Sequence, residues 1–498
     1  MTLTVSGDLD RSRGRASLKH RAARGAAWTL PTSIGSRAVG LVGTLLLARY
    51  LAPQEYGAVM AASIAATSAS SVTTFGVGIY LVANTEISRV DTFHASCWFL
   101  LTGLAAALVT LALKTPLEQW SGAPGLAAFL PGLVAAALLE RVVYVPEKLL
   151  VRQLRFGWLS LARALGELMY TTISVTAAAH GAGALAIVWG SLARSTFRFA
   201  ALVPAVDIRE WLEPHRLRFA TLVRIVGYGT NVTAASVASF GMRRWDNLLV
   251  SRYFGAAVMG AYNYAYNLAD TPSTAVGDQM SDVIAASLPH VDRRRRVDAL
   301  VRSCNLVSMI MCPLSIGLAA IAPTLVQTFF DPKWANVGTM LTWLAALSIV
   351  RPLGTILQSY FYACGRPSVV LWIEWASLAG VVISIATLGR TGMNWVCASV
   401  GVVFALRTLA SMWVVRIQDG VAISDFLIPM ARPLAAGVAM AVGVTMTRVV
   451  CAGVAPPVQL LFEIAVGAAI YVAGVLLVAR STCSELVGAV RSALVSPA

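Results

Sequence analysis

The residues of this chain that could do chemistry are charged side chains placed inside long apolar stretches. An ionisable group near the middle of a bilayer costs about 2.5–3.5 kcal/mol on insertion scales, so it usually faces a cavity or a partner. A guanidinium can bind the oxygens of an anionic group in bidentate fashion. The sequence therefore predicts a substrate-binding set, the deep arginines: Arg37, Arg163, Arg194, Arg351 and Arg407.

Arg37 is the strongest candidate among the deep arginines. It follows Arg24 by thirteen residues, which is about 20 Å along a helix at 1.5 Å per residue. That depth is too great for easy contact with the membrane surface. Nearby Gly40 and Gly43 are expected to loosen the helix where it bends around a pathway. A buried structural partner is the alternative interpretation.

Carboxylates at comparable depth are fewer than the arginines. Glu167, Asp270 and Glu374 cannot neutralise all of them, so we expect a net positive interior suited to a polyanionic headgroup. Arg163 and Glu167, spaced i, i+4, could instead pair with one another. A gate or coupling role is predicted for a second set, although its first two members could also pair locally: Arg243, Asp246, Asp270 and Glu374.

Signatures of catalysis are missing from the sequence. There is no P-loop, no HExxH and no GxSxG, and the five histidines lie in predicted loops or tails. The seven cysteines are scattered without metal-ligand spacing. We therefore expect no enzyme activity, no cofactor and no metal. A membrane-embedded glycosyltransferase or polymerase, kept as an alternative, would need a sizeable polar loop with catalytic carboxylates.

The elements that must position these charges are membrane spans. Of the 498 residues, 57% are hydrophobic and 13% are charged, about half the charge of a soluble protein. Apolar blocks of about 20 residues match a hydrocarbon core of about 30 Å. The predicted fold is an all-α polytopic membrane protein with fourteen helical spans: 26–48, 57–82, 95–113, 126–144, 158–179, 184–203, 225–250, 257–278, 303–322, 339–362, 368–388, 395–415, 433–450 and 458–479.

The distribution of lysine and arginine predicts the orientation. With the N-terminus inside, predicted internal segments carry 24 basic residues and external loops carry 5. Short loops with this bias face the cytoplasm. We predict a multi-pass membrane protein with both termini on the cytoplasmic side. The formal net charge of +15 therefore reflects topology and contact with membrane lipids, and no nucleic-acid partner is expected.

An internal repeat predicts two related halves. The stretch around Arg49 and Gly57 recurs 203 residues later around Arg252 and Gly260. Six spans per half make the copies parallel, related by a pseudo-two-fold axis along the membrane normal. The predicted organisation is a basic cytoplasmic tail, a six-helix lobe, a cytoplasmic linker, a second six-helix lobe, two extra helices and a cytoplasmic tail: 1–25, 26–203, 204–224, 225–415, 416–479 and 480–498.

Several stretches together resemble a known family. They are RGAAW (residues 24–28), LARYLAPQEYG (47–57), its copy VSRYFGAAVMGAYNYAYNLADTP (250–272), GAGALAIVWGSLARS (181–195) and DPKWANV (331–337). The chain resembles the polysaccharide transporter family of Wzx-type flippases in the multidrug/oligosaccharidyl-lipid/polysaccharide (MOP) superfamily. The likeness spans nearly the whole chain, and its motifs assign no ligand-contacting residue.

The resemblance implies an alternating-access flippase of the bacterial cytoplasmic (inner) membrane. Such a protein moves undecaprenyl-diphosphate-linked oligosaccharides from the inner to the outer leaflet, for exopolysaccharide, capsule or O-antigen synthesis. Expected partners are this lipid-linked oligosaccharide, membrane lipids, and the polysaccharide polymerase and export machinery. A lipid II flippase and a cation-coupled drug antiporter of the same superfamily are alternatives. The two extra spans favour a lipid-linked cargo, because drug exporters of the superfamily typically have twelve.

Overall fold

The computed structural model describes residue 32 and residues 35–74, 76–83, 88–153, 155–288 and 293–478. These residues form helices joined by short connections, with no strand among them. We number the helices in chain order, with α1 covering residues 35–50. The others are α2 Pro53–Val72, α3 Val77–Ala83, α4 Arg89–Ala112, α5 Lys114–Ser121, α6 Leu126–Arg152, α7 Phe156–Ala179, α8 Leu185–Leu202, α9 Phe219–Phe254, α10 Ala256–Ser287, α11 Arg293–Phe329, α12 Asn336–Ala346, α13 Arg351–Ala363, α14 Pro367–Leu388, α15 Met393–Asp419, α16 Ile423–Val450 and α17 Pro456–Val478.

The helices are those of a multi-pass membrane protein, as predicted. Each of the fourteen predicted spans overlaps a helix. By length and composition, eight helical segments of the described chain could each cross a membrane: Arg89–Ala112, Leu126–Arg152, Arg295–Phe329, Asn336–Ala363, Pro367–Leu388, Met393–Asp419, Ile423–Val450 and Pro456–Leu477. The all-helical fold class is confirmed, and the count of fourteen spans and the two-lobe symmetry stay predictions. The predicted tails 1–25 and 480–498 lie outside the described residues.

Several helices continue past the predicted span boundaries. Helix α9 has 36 residues and α11 has 37, so each is about 55 Å long at 1.5 Å per residue. Helix α6 runs without a break through Pro146 to Arg152, although hydropathy alone ends its span at residue 144. The second predicted span, by contrast, is divided, because α2 ends at Val72 and α3 begins at Val77.

Two repeat-related glycines let α2 and α10 touch backbone to backbone. A Cβ on Gly57 would lie 1.8 Å from the carbonyl oxygen of Ala256, and a Cβ on Gly260 would lie 2.5 Å from that of Pro53. Each glycine is the fifth residue of its helix, and both pairs of equivalent positions differ by 203. The contact, which we call the α2–α10 crossing, is therefore reciprocal under the offset of the sequence repeat.

Hydrogen bonds join the two halves at the same end of the molecule, the connection end, where α1 meets α2 and α9 meets α10. The indole N–H of Trp334 donates to the carbonyl oxygen of Ala48 at 2.7 Å. Arg252 donates to the carbonyl oxygen of Trp120 at 3.0 Å. Each half thus contributes a connection that binds the last turns of the first helix of the other half.

The last two helices pack on α11. Glu463 of α17 is fully buried there and accepts hydrogen bonds from Thr324 at 2.7 Å and from Arg448 at 3.2 Å. This arrangement gives α16 and α17 a polar attachment as well as an apolar one. At the far end of the second half, hydrogen bonds from Arg366 to Asp419 raise the pKa of Arg366 and tie the α13–α14 connection to α15.

Candidate functional site

A cavity of about 360 Å³ lies between α1 and α7 on one side and α10 on the other. Helices α1 and α7 belong to the predicted first lobe and α10 to the second. The cavity therefore lies where the sequence predicts an opening between lobes. Its polar lining carries two guanidinium groups and one carboxylate among neutral hydrogen-bonding groups: Ser36, Arg37, Thr44, Arg163, Glu167, Asn267 and Thr271.

Arg37 bridges the two halves at this cavity. Its Nη1 donates to the hydroxyl of Thr274 at 2.7 Å and its Nη2 donates to Asp278 at 2.9 Å, both on α10. The side chain of Arg37 is 31% exposed and that of Asp278 is 52% exposed. An ion pair this open to water contributes about 0–1 kcal/mol. Arg37 can therefore exchange Asp278 for another anion at small cost.

The glycines around Arg37 serve close packing of α1 on α7. A Cβ on Gly43 would lie 2.6 Å from the side chain of Thr171, and one on Gly40 would lie 3.1 Å from a carboxylate oxygen of Glu167. The expectation that these glycines mark a bend is thus replaced by a steric reason. A side chain at Gly43 would push α1 away from the α7 wall of the cavity.

Arg163, the second guanidinium of the cavity, belongs to an ionic network that crosses α6, α7 and α8. Glu147 of α6 pairs with Arg163 at 2.5 Å and with Arg198 of α8 at 2.5 Å. Arg198 also pairs with Glu140, which lies two turns before Glu147 on α6. The side chain of Arg163 is 54% exposed, whereas that of Glu147 is 11% exposed. The network is therefore buried at Glu147 and open to the cavity at Arg163.

Glu167 pairs with Arg194 of α8, at 3.5 Å. The suggested i, i+4 pairing between Arg163 and Glu167 is wrong, because each side chain reaches a different helix. Arg194 also stacks over the ring of Tyr170, 5.0 Å from its centroid. Arg194 thus stands behind the cavity wall and acts on the cavity through Glu167.

The expected excess of unpaired positive charge is wrong for the deep arginines. Each of the five faces a carboxylate within 3.5 Å. Sequence reasoning missed Glu147 because the predicted span ended at residue 144, and it missed Glu140 although that residue lies within the span. It also missed Asp278 as the partner of Arg37. Helix α6 continues through Pro146 to Arg152, so a longer predicted span would have included Glu147.

Arg351 does not line the cavity. It is 6% exposed, donates to Asp270 at 2.9 Å, and lies between the rings of Tyr266 and Phe404, 4.3 and 4.5 Å from their centroids. Such cation–π contacts hold a guanidinium in place on two faces. Arg351 therefore joins α13 to α10 and α15.

Arg407 is also outside the cavity. It pairs with Glu374 at 2.5 Å, and the two side chains are 5% and 1% exposed. Its Nε donates to the same carboxylate oxygen at 2.8 Å. Removing one member of a buried pair costs about 3–5 kcal/mol, because the other charge is left without compensation. This pair holds α14 against α15.

The remaining members of the predicted gate or coupling set lie near the connection between α9 and α10. Arg243 donates to the hydroxyl of Ser239 at 3.1 Å. Asp246 is fully buried and accepts hydrogen bonds from Tyr262 at 2.8 Å and from the backbone and side chain of Asn247. The suggested local pairing of Arg243 with Asp246 is not among the ion pairs of the described residues.

Sequence reasoning also missed a buried arginine that serves structure. Arg141 is 3% exposed, and its guanidinium donates to the carbonyl oxygens of Phe99, Ser70 and Thr73. Gly103 leaves it room, since a Cβ there would lie 1.9 Å from the Arg141 Nε. Arg141 therefore fastens α6 to α2 and α4, and its donors are used up in that role.

Comparison with known proteins decides the family. Residues 46–338 match the polysaccharide biosynthesis protein family. The chain belongs to this family. The predicted resemblance to polysaccharide flippases of the MOP superfamily is thereby confirmed.

Several members of this family have names that describe transport or polysaccharide synthesis. The chain is 26% identical to the succinoglycan biosynthesis transport protein ExoT of Rhizobium meliloti, over 94% of this chain and 95% of that protein. It is 22% identical to the lipopolysaccharide biosynthesis protein WzxC of Escherichia coli, over 70% and 71% of the two chains. The match to ExoT covers nearly the whole of both chains.

Solved structures show the same fold. The lipid II flippase MurJ in an inward closed conformation aligns with a TM-score of 0.75 at 15% identity, covering 91% of this chain and 98% of that one. An inward-facing MATE family multidrug transporter of the MOP superfamily aligns with a TM-score of 0.54 at 14% identity, covering 80% and 96%. The chain thus shares its fold with these two proteins.

Proposed function

We propose that this protein moves undecaprenyl-diphosphate-linked oligosaccharides from the inner to the outer leaflet of the cytoplasmic membrane, for exopolysaccharide, capsule or O-antigen synthesis. The observation that carries the proposal is the cavity between the halves, where Arg37 and Arg163 face one space. Membership of a polysaccharide biosynthesis family supports a sugar-bearing cargo. The names of ExoT and WzxC point to the same cargo class.

The diphosphate would bind by exchanging partners with carboxylates. Asp278 holds Arg37 only in an exposed pair, and a diphosphate offers more charge and more oxygens to the same guanidinium. Thr274, which also accepts from Arg37, would keep the side chain near α10 during the exchange. Asp278 would thus neutralise the charge of Arg37 whenever no diphosphate is bound.

Arg163 could make the same exchange with less disturbance to its network. When Arg163 turns to the cargo, Glu147 keeps its second partner, Arg198. No buried carboxylate is then left without a cation. Arg407 would abandon the buried Glu374, at a cost of about 3–5 kcal/mol, and Arg351, itself buried, would abandon Asp270. Of the deep arginines, Arg37 and Arg163 are therefore the proposed diphosphate contacts. Arg194 would set the position of Glu167.

Alternating access would open and close the α2–α10 crossing. In the described structure the backbones of α2 and α10 are in contact at Gly57 and Gly260, and Trp334 and Arg252 add hydrogen bonds between the halves. Release of a headgroup toward the connection end requires these contacts to separate. The prenyl chain would stay in the bilayer while the headgroup crosses, and the polymerase would receive the product at the outer leaflet.

The orientation implied by this proposal places the connection end outside. A single cysteine at Trp120 should react with an impermeant thiol reagent in intact cells, and one at Arg302 should react only after permeabilisation. The opposite pattern would reverse the membrane orientation, and with it the direction of transport.

A deletion strain complemented with variants tests the function. The deletion should accumulate complete lipid-linked repeat units on the inner leaflet. Arg37→Ala should abolish polymer export at a normal protein level, Arg37→Lys should restore part of it, and Arg390→Ala, an exposed change in the α14–α15 connection, should export normally. Normal export by Arg37→Ala would remove the proposed diphosphate contact. Accumulation of lipid II in place of the repeat unit would reassign the cargo.

A further inference from the structure

A one-way chain of amide hydrogen bonds links a buried carboxyl group to the cavity. Asn267 Nδ2 donates to Asn263 at 2.8 Å, Asn263 Nδ2 donates to Asn247 at 2.9 Å, and Asn247 Nδ2 donates to Asp246 at 2.9 Å. Asp246 and Asn247 are 0% exposed and Asn263 is 1% exposed. Asn267 is partly exposed, lines the cavity, and ends the chain.

The direction of this chain is fixed at its buried end. The oxygen of Asp246 that accepts the side-chain amide of Asn247 also accepts the backbone N–H of Asn247, at 2.8 Å. An ionised carboxylate oxygen can only accept, so the side-chain group of Asn247 that meets it is the NH₂ group. Each amide must then turn its oxygen to the next nitrogen, which settles the N and O positions that an isolated asparagine leaves open.

The consequence is that Asn267 presents an oxygen to the cavity. One of its two side-chain N–H groups donates to Asn263, and its Oδ1 has no hydrogen-bond donor among the described residues. Two hydroxyl groups of the lining are acceptors as well, because each gives its hydrogen to a helix carbonyl. Thr44 donates to Gly40 at 2.8 Å and Thr271 donates to the backbone of Asn267 at 2.7 Å.

We propose that Asn267 is a specificity-determining contact that accepts a hydrogen bond from a hydroxyl of the sugar attached to the diphosphate. Arg37 and Arg163 supply donors for the phosphate oxygens, and Asn267 supplies an acceptor in the same space. This division matches a ligand that has anionic oxygens next to hydroxyl donors. The inference rests on the proposed function and adds the part of the cargo that the arginines cannot distinguish.

Asp246 and Asn263 act through Asn267 and are positioning residues. Tyr56 of α2 also donates to the Asn263 oxygen, at 3.1 Å, so the first half of the protein helps to hold the chain. Tyr262 donates to the second oxygen of Asp246. Reversing the Asn267 amide would place its oxygen against the Asn263 oxygen, so the Asn267 oxygen stays available to the cavity as an acceptor.

Binding of two probes to the purified protein in lipid nanodiscs tests this inference. The probes are undecaprenyl diphosphate and undecaprenyl diphosphate carrying one glucose, and the readout is the ratio of their dissociation constants. The natural protein should prefer the glucose-bearing probe. Asn267→Leu should lower this preference about 3- to 10-fold, the range of one hydrogen bond, and leave the sugar-free probe unaffected. The matched control Asn394→Leu, at an exposed position of α15, should change neither affinity.

Two further variants separate positioning from contact. Asp246→Asn keeps an oxygen for the N–H groups of Asn247, so the preference should survive. Asn263→Leu cuts the chain and should lower the preference as Asn267→Leu does, even though the cavity residue is intact. An unchanged preference in both leucine variants would overturn the inference. A natural protein that binds both probes equally would do the same, whereas one that binds neither would overturn the proposed function itself.

Discussion

The charges of the two halves are arranged in different ways. In the first half, Glu147 pairs with two arginines and Arg198 pairs with two carboxylates. This network ends at Arg163, which is half-exposed in the cavity. In the second half, Arg407 and Glu374 form an isolated buried pair. A shared network can release one member and remain neutralised, whereas an isolated pair cannot. The first half is therefore suited to exchanging ions and the second to holding its helices together.

Breaking the isolated pair should have the largest effect on stability. Glu374→Ala leaves Arg407 buried without a partner, so we expect a loss of about 3–5 kcal/mol of unfolding free energy and little folded protein in the membrane. The double variant Glu374→Leu with Arg407→Leu should recover most of the loss. Thermal unfolding in detergent measures both. A stable, abundant Glu374→Ala protein would contradict the structural role given to this pair.

Substitutions on the two sides of the α2–α10 crossing should have similar effects. Gly57→Ala puts a Cβ 1.8 Å from a carbonyl oxygen, and Gly260→Ala puts one at 2.5 Å, so both should prevent the described close contact. We expect about 1–3 kcal/mol of destabilisation and loss of transport, with Gly57→Ala the more severe. Cysteine cross-linking between α2 and α10 reports the separation. Gly35→Ala, with nothing within 4 Å, is the control, and normal cross-linking in Gly57→Ala would refute the steric argument.

Replacing Arg163, at the exposed end of the network, should reduce transport much more than stability. Arg163→Ala leaves Glu147 paired with Arg198, so unfolding free energy should fall by no more than about 1 kcal/mol. Export of polymer should nevertheless fall sharply, because a diphosphate contact is lost. Unfolding and export are measured on the same membranes. Equal losses in both quantities would place Arg163 with the structural arginines.

The smallest effect on export is expected when one of the two hydrogen-bond acceptors of Arg37 is removed. Thr274→Val removes a hydroxyl that accepts from Arg37 and keeps the shape of the side chain, while Asp278 still pairs with the guanidinium. Loss of one hydrogen bond of this kind is worth about 0.5–1.5 kcal/mol. Export should therefore fall a few-fold, far less than with Arg37→Ala. Complete loss of export would show that Thr274 has a role beyond positioning Arg37.

The sequence sufficed for the fold class and the family, because these depend on hydropathy and on the order of motifs. It could not show which arginines share a space. Arg351 and Arg407 have the same depth signature as Arg37, but their partners Asp270 and Glu374 lie on other helices. Partnerships between helices depend on helix rotation and packing, which a count of deep charges does not contain.

The residues around Asn263 show the same limit. Tyr262, Tyr264 and Tyr266 of α10 are all buried, which their spacing does not reveal. Asn263 and Asn267 lie one turn apart on the same face of α10, but Asn263 is covered by Tyr56 of α2 whereas Asn267 lines the cavity. This difference depends on where α2 crosses α10, a contact between residues about 200 positions apart in sequence.

The reciprocity of the α2–α10 crossing bears on the origin of the molecule. A contact that maps onto itself under a shift of 203 residues is the contact that two copies of a half-length chain would make about a two-fold axis. In such a dimer, one mutation would alter both sides of the contact at once. In a single chain each side changes alone, so the position 203 residues after Arg37 can hold the apolar Phe240. A charge in one half therefore needs no counterpart in the other.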